Sequence, residues 1–183
     1  MGMDDSAIAA PPVVQRAATM TIPSEYQQAS LDFERFMVLA RDHAGLATTN
    51  MAWNMVVGVL LAFRRRLSVP EALRFAGVLP PMLRAVFVAD WDPSEATRPF
   101  AGREAMTDEV RSVRPQHNFS PPEAIAAVAQ ALRRSMDPQA LDRVLATLPP
   151  EAQAFWCETP PDGAPDARRV ADEGPCPPPA TAH

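Results

Sequence analysis

Two stretches of this chain repeat one another, and that repeat limits the fold more than any other feature of the sequence. The first, VVGVLLAFRRRLSVPEALRFAGVLPPMLRAVF, runs from Val56 to Phe87. The second, AIAAVAQALRRSMDPQALDRVLATLPPEAQAFW, runs from Ala124 to Trp156. Leu79-Pro80-Pro81 corresponds to Leu148-Pro149-Pro150 at an offset of 69 residues. Pro70-Glu71-Ala72-Leu73 corresponds to Pro138-Gln139-Ala140-Leu141 at 68, and one single-residue gap reconciles the two. Each copy reads as a long helix, two arginines, a short cap, a second helix, Leu-Pro-Pro and a short closing helix.

Cap chemistry sets the helix limits. Ser68-Val69-Pro70-Glu71 and Ser120-Pro121-Pro122-Glu123 both have the form of a capping box, in which serine and glutamate satisfy orphan backbone donors. Asp137 followed by Pro138 reads as an N-cap with proline at the first helical position. Gly45 follows Arg41-Asp42-His43 where a left-handed C-terminal residue is expected. A further helix precedes each copy: residues 24–43 place Phe33, Phe36, Met37 and Ala40 on one face, and residues 102–113 do so with Met106, Val110 and Val113 before Pro115 stops them. Nothing alternates with the period of a strand. The expectation is an all-α fold of two tandem four-helix units, 22–89 and 100–157, packed into one bundle-like domain. Residues 90–99 form an acidic, turn-rich linker, with disordered segments at 1–21 and 158–183.

Composition removes several kinds of chemistry. All 17 basic residues are arginine. Without lysine there is no Schiff-base nucleophile, and no phosphate-binding loop ending in Gly-Lys-Ser/Thr. Residues 158–183 carry a net charge of −3 and residues 1–21 a net −1, which leaves 22–157 at −1. So neutral a middle argues against a general nucleic-acid binder. Cys157 and Cys176 lie at or beyond the end of the expected core, unlike the cysteines of a disulfide scaffold. His43, His117 and His183 are far apart, so neither a metal site nor a cofactor site is expected. The first 20 residues carry acids where a secretory signal needs positive charge. They match the short myristoylation pattern through Gly2 and Ser6, and Met20 is an alternative start. After Glu158 the chain is rich in proline and charge and poor in large apolar residues, which cannot offset the entropy of ordering.

The order of these elements resembles a known family. A helix ending near Gly45-Leu46, a long helix, Arg64-Arg65-Arg66-Leu67-Ser68 with Glu71-Ala72, and Leu79-Pro80-Pro81 are similar to the bacterial family called domain of unknown function 2267. The resemblance covers about residues 30–157 and excludes both ends. It implies a small, all-helical, cytoplasmic bacterial protein carrying two such units, and it supplies no activity, cofactor or catalytic residue. The second unit departs from the pattern, with Arg114-Pro115-Gln116-His117 where the first has Arg41-Asp42-His43-Ala44-Gly45.

The two copies differ most in their long helix. In the second unit Glu123, Ala127, Gln130 and Arg134 form a polar or small stripe opposite Ile125, Val128 and Leu132. The first unit is apolar nearly all round, and its Val57 and Leu61 stand where the second has Ala126 and Gln130. Three readings follow. The helix is central and buried on all sides. Alternatively its surplus face, marked by Trp53, Val57 and Leu61, binds a protein partner or a second copy. The third is a membrane span from Leu46 to Phe63, which Thr48, Thr49, Asn50 and Asn54 argue against.

Arg64, Arg65 and Arg66 sit at a helix C-terminus, where cations complement the helix dipole; they are also the candidate anion contact. Asp90, Asp92 and Glu95 read as solvated turn residues, and no nucleophile elbow frames any serine. The expectation is a non-catalytic protein–protein interaction or regulatory module. Its alternatives are a helical nucleic-acid-binding regulator and a ligand-binding protein or enzyme with its pocket between the units.

Overall fold

The helix limits follow largely from local chemistry. In the computed structural model, which describes residues 22–157, the Thr48 hydroxyl accepts the Met51 N–H at 3.3 Å and opens α3 (Thr49–Arg64). Just before it, α2 (Ala29–His43) ends at Gly45, whose φ of +61° is the left-handed conformation that glycine adopts without steric cost. Glu71 reaches back to the Ser68 N–H at 2.8 Å, capping α4 (Val69–Val78). Asp137 accepts the Gln139 N–H at 2.9 Å to start α8 (Pro138–Leu145). The prolines of the two Leu-Pro-Pro motifs begin α5 (Pro81–Val88) and α9 (Pro150–Phe155). The remaining elements are α1 (Ser24–Gln27), α6 (Arg103–Ser112) and α7 (Ala124–Ser135), and all regular structure among the described residues is helical.

Two local expectations are corrected. The first helix is broken at Gln28, because α1 buries no residue and has no packing to hold it in line with α2. The second capping box does not form. Ser120 instead donates both its N–H and its hydroxyl to the buried side chain of Asn118, and α7 begins at Ala124 without a side-chain cap.

The two halves of the chain cover each other. The first long helix of the second half, α6, packs on α3, and α2 of the first half packs on α7; α4 likewise meets α8. The closest approach is at Gly58, where a methyl group would stand 2.7 Å from the Val110 carbonyl oxygen and 2.9 Å from Val110 Cγ1. Phe63 of α3 packs against Phe155 and Trp156 at ring separations of 5.0 and 5.1 Å, and Phe75 of α4 stacks on Trp156 at 5.5 Å. Buried residues of both halves thus form one continuous core. The segment expected as a linker is pinned to this core: the Arg98 N–H donates to the Arg65 carbonyl at 2.8 Å, and Arg64 lies over the Trp91 ring. Cys157 is disulfide-bonded, its partner lying outside the described residues.

Glycine usually weakens a helix, and Gly→Ala inside one gains up to about 1 kcal/mol. At Gly58 the backbone oxygen of Val110 blocks the added methyl, and overpacking of this kind costs about 1–3 kcal/mol. We therefore expect Gly58→Ala to lower the urea midpoint with an unchanged slope. Gly77→Ala, where nothing lies within 4 Å, should leave it unchanged or raise it.

Candidate functional site

Helix α3 is not buried all round. Its least buried positions past the first turn are Trp53, Val57 and Leu61, spaced four residues apart, so they form one outward stripe between α2 and α6. Trp53 is 40% exposed and rests edge-on against Phe33 of α2 at 6.0 Å. Val57 and Leu61 are half-buried. The same positions of α7 and its approach are Pro122, Ala126 and Gln130, of which Ala126 and Gln130 are half-buried as well. Ala127, expected on the open stripe, is instead buried where α2 comes to lie across α7. Equivalent stripes are therefore open in both halves, and only that of α3 is apolar throughout.

A knot of buried polar groups fixes the loop at one end of this stripe. Asn54 donates its Nδ2 to the His117 carbonyl at 2.9 Å. Asn118 Nδ2 donates to the carbonyls of Val110 at 2.7 Å, Val113 at 2.9 Å and Asn54 at 3.4 Å. Two of these bonds, to Val110 O and Val113 O, meet carbonyls at the C-terminal end of α6, where intrahelical partners run out. They also hold Arg114 at a φ of +58° and leave Phe119, between buried Asn118 and Ser120, pointing outward. By sequence Phe33 was read only as part of the apolar face of the first helix, and Phe119 was not singled out. The signal for Phe119 was present, a lone large apolar residue between two polar ones, but nothing showed that those neighbours would be buried.

The arginine triplet lies at the other end of α3. Arg64 is buried; its Nη1 donates to the carbonyls of Phe87 at 2.6 Å and Ala89 at 2.9 Å, where α5 ends. Burial lowers its pKa, and the neighbouring Arg65 adds to that. Arg66 donates to Ala62 O and to Glu109 Oε2 at 2.7 Å, while Arg65 and Arg98 each donate to Glu109 Oε1 at 3.2 Å. The cavity beside Arg64, Arg65, Trp91 and Glu95 measures about 30 Å³, room for one or two waters. All three guanidiniums thus brace α3 to α5 and α6. Asp92 closes a turn by accepting the N–H and hydroxyl of Ser94 at 2.9 and 2.6 Å. Among the described residues no three His, Cys, Asp or Glu side chains are grouped to hold a metal, and no helix is long and apolar enough to cross a membrane.

Glu109 gives the brace a pH dependence. Burial alone would raise its pKa, but the hydrogen bonds and charges of Arg66, Arg65 and Arg98 outweigh that and lower it. A depressed carboxylate stabilises the fold above its unfolded pKa, about 4.3, and the contribution fades as pH falls through the folded value. Glu109→Gln should cost about 1–3 kcal/mol at neutral pH by removing the charge that three guanidiniums share and turning one of its two acceptor oxygens into a donor. Urea midpoints at neutral and acidic pH check this: the gap between wild type and variant should narrow in acid.

None of the curated proteins compared matches the chain. A family model does, over residues 33–155, a span that starts in α2, ends in α9 and includes the stripe, the knot and the brace. The chain belongs to the family described as uncharacterized conserved protein, DUF2267.

Proposed function

We propose that this chain is a non-catalytic protein–protein interaction module that self-associates through the stripe of Trp53, Val57 and Leu61. One observation carries the reading. At the equivalent open positions the second half has Pro122, Ala126 and Gln130, so the helix packing itself does not require large apolar residues there. Retaining tryptophan, valine and leucine on a partly solvated ridge makes sense if something covers them. The stripe carries no charge, which suits an isologous contact in which the same patch meets itself about a two-fold axis. The arginine triplet, bonded internally, lends no weight to a nucleic-acid reading.

The same reading takes α2–α5 and α6–α9 as two copies of one four-helix unit in a bacterial protein. The shared element order and the paired Leu-Pro-Pro starts of α5 and α9 support the duplication.

Light scattering of the full chain over a dilution series, with circular dichroism alongside, tests the proposal. Wild type should fall from dimer to monomer on dilution. Leu61→Glu should be monomeric throughout with its helicity kept, and Trp53→Ala, at a more exposed position, should weaken association in the same direction. A wild type that is monomeric at every concentration, or two variants that both associate like wild type, would overturn it.

A further inference from the structure

The cavity at the C-terminal end of α3 carries a surplus of positive charge. Arg64, Arg65 and Glu95 supply the charges of its wall, two cations against one carboxylate, around a space of about 30 Å³. Arg64 is only 6% exposed, and Arg65 is half-buried. Each keeps a buried Nε–H that has no acceptor. A buried donor without a partner is costly, and a buried cation without a counter-charge more so.

The groups that could serve these donors are engaged elsewhere. The last carbonyls of α3 accept backbone N–H groups: Phe63 O from Arg66, Arg64 O from Leu67 and Arg65 O from Arg98. Glu109 is shared by Arg65, Arg66 and Arg98, and Glu71 is held by the N–H and hydroxyl of Ser68. Glu95 Oε1 stands 4.0 Å from Arg65 Nε, beyond hydrogen-bond length, and 3.5 Å from Arg98 Nη2. Arg64 donates to the carbonyls of Phe87 and Ala89, which carry no net charge. Burial and the like charge of Arg65 lower its pKa, and Glu95 and Asp90 offset this only in part.

Two further features favour an anion. Val69, the first residue of α4, lies in the wall, so the positive end of that ten-residue helix adjoins the cavity. Pro93, Glu95, Ala96 and Thr97 are exposed lining residues, which gives an ion a way in without unfolding.

We propose that this cavity binds one monoanion of halide size between the guanidiniums of Arg64 and Arg65. The ion takes the two unpartnered Nε–H groups and brings the charge of the wall, two cations less one carboxylate, to zero. It joins the end of α3 to residues 91–97, beside the backbone bond from Arg98 to Arg65. A space for one or two waters admits chloride and excludes tetrahedral oxyanions such as sulfate. The site is independent of the self-association proposed above.

The test uses chloride as the ligand and the full chain labelled with 5-fluorotryptophan. Fluorine NMR resolves the three tryptophans, and Trp91→Phe assigns the reporter, whose ring lies 5.5 Å from the Arg64 guanidinium carbon. Sodium chloride replaces sodium gluconate at constant ionic strength. The Trp91 resonance should shift along a saturating curve, with no such curve for Trp53 or Trp156, and sodium sulfate should produce none. Two variants act in opposite directions. Glu95→Gln removes a competing carboxylate and should lower the chloride midpoint about tenfold. Arg65→Gln should abolish saturation, with circular dichroism reporting that helicity is kept; if that variant unfolds, the Glu95→Gln midpoint decides alone. A Trp91 resonance that saturates in neither wild type nor Glu95→Gln overturns the proposal. So does a midpoint that Glu95→Gln leaves unchanged, or a sulfate curve equal to that of chloride, which would place the ion on the surface.

Discussion

Each long helix carries an apolar face that its own half of the chain leaves uncovered, and the fold depends on the other half supplying the cover. Helix α6 closes over α3, and α2 closes over α7. Burial of apolar area stabilises by about 25 cal/mol per Å², so neither half would keep its share of that stabilisation alone. The approach of α3 to α6 is close because Gly58 presents no side chain to the Val110 backbone. The aromatic cluster of Phe63, Phe75, Phe155 and Trp156 then joins α3 and α4 to α9 through offset and edge-on contacts.

Polar groups hold what the apolar core leaves loose. Each end of α3 is tied to the second half by a buried or half-buried polar cluster: the asparagine knot at Asn54 and the arginine brace at Glu109. Each meets donors and acceptors that would otherwise be costly inside the protein. The consequence for function is geometric. With both ends fixed and both flanks packed, the one ridge of α3 that remains open is rigid, and its aromatic end is rigid too. Among the described residues no group of three His, Cys, Asp or Glu side chains that could hold a metal accompanies it.

Much of this was readable from residue pattern. The all-helical class, most helix limits, the left-handed Gly45 and the caps at Ser68 and Asp137 all depend on interactions within a few residues. The apolar surplus at Trp53, Val57 and Leu61 was visible because the similar stretch from Ala124 to Trp156 served as an internal reference. The break at Gln28 and the missing cap at Ser120 were not visible, since both depend on neighbours distant in sequence. Helix α1 buries no residue, and Asn118 becomes buried only because Asn54 and the end of α6 meet it.

The sequence by itself determined that the chain is helical, where most of the helices start and stop, and which helix carries more apolar residue than one buried face needs. Those properties follow from backbone capping and 3.6-residue periodicity, which are local. Only the tertiary structure decided that the halves cover each other's long helices. It likewise decided that Arg64, Arg65 and Arg66 turn inward to carbonyls and Glu109, and that Phe119 points out. These outcomes depend on which faces meet across the chain, and two similar stretches of sequence are compatible with each half covering itself or its neighbour. The small residue at Gly58 and the aromatics gathered at Trp156 are accommodated in the second arrangement, where α3 meets α6 and α9.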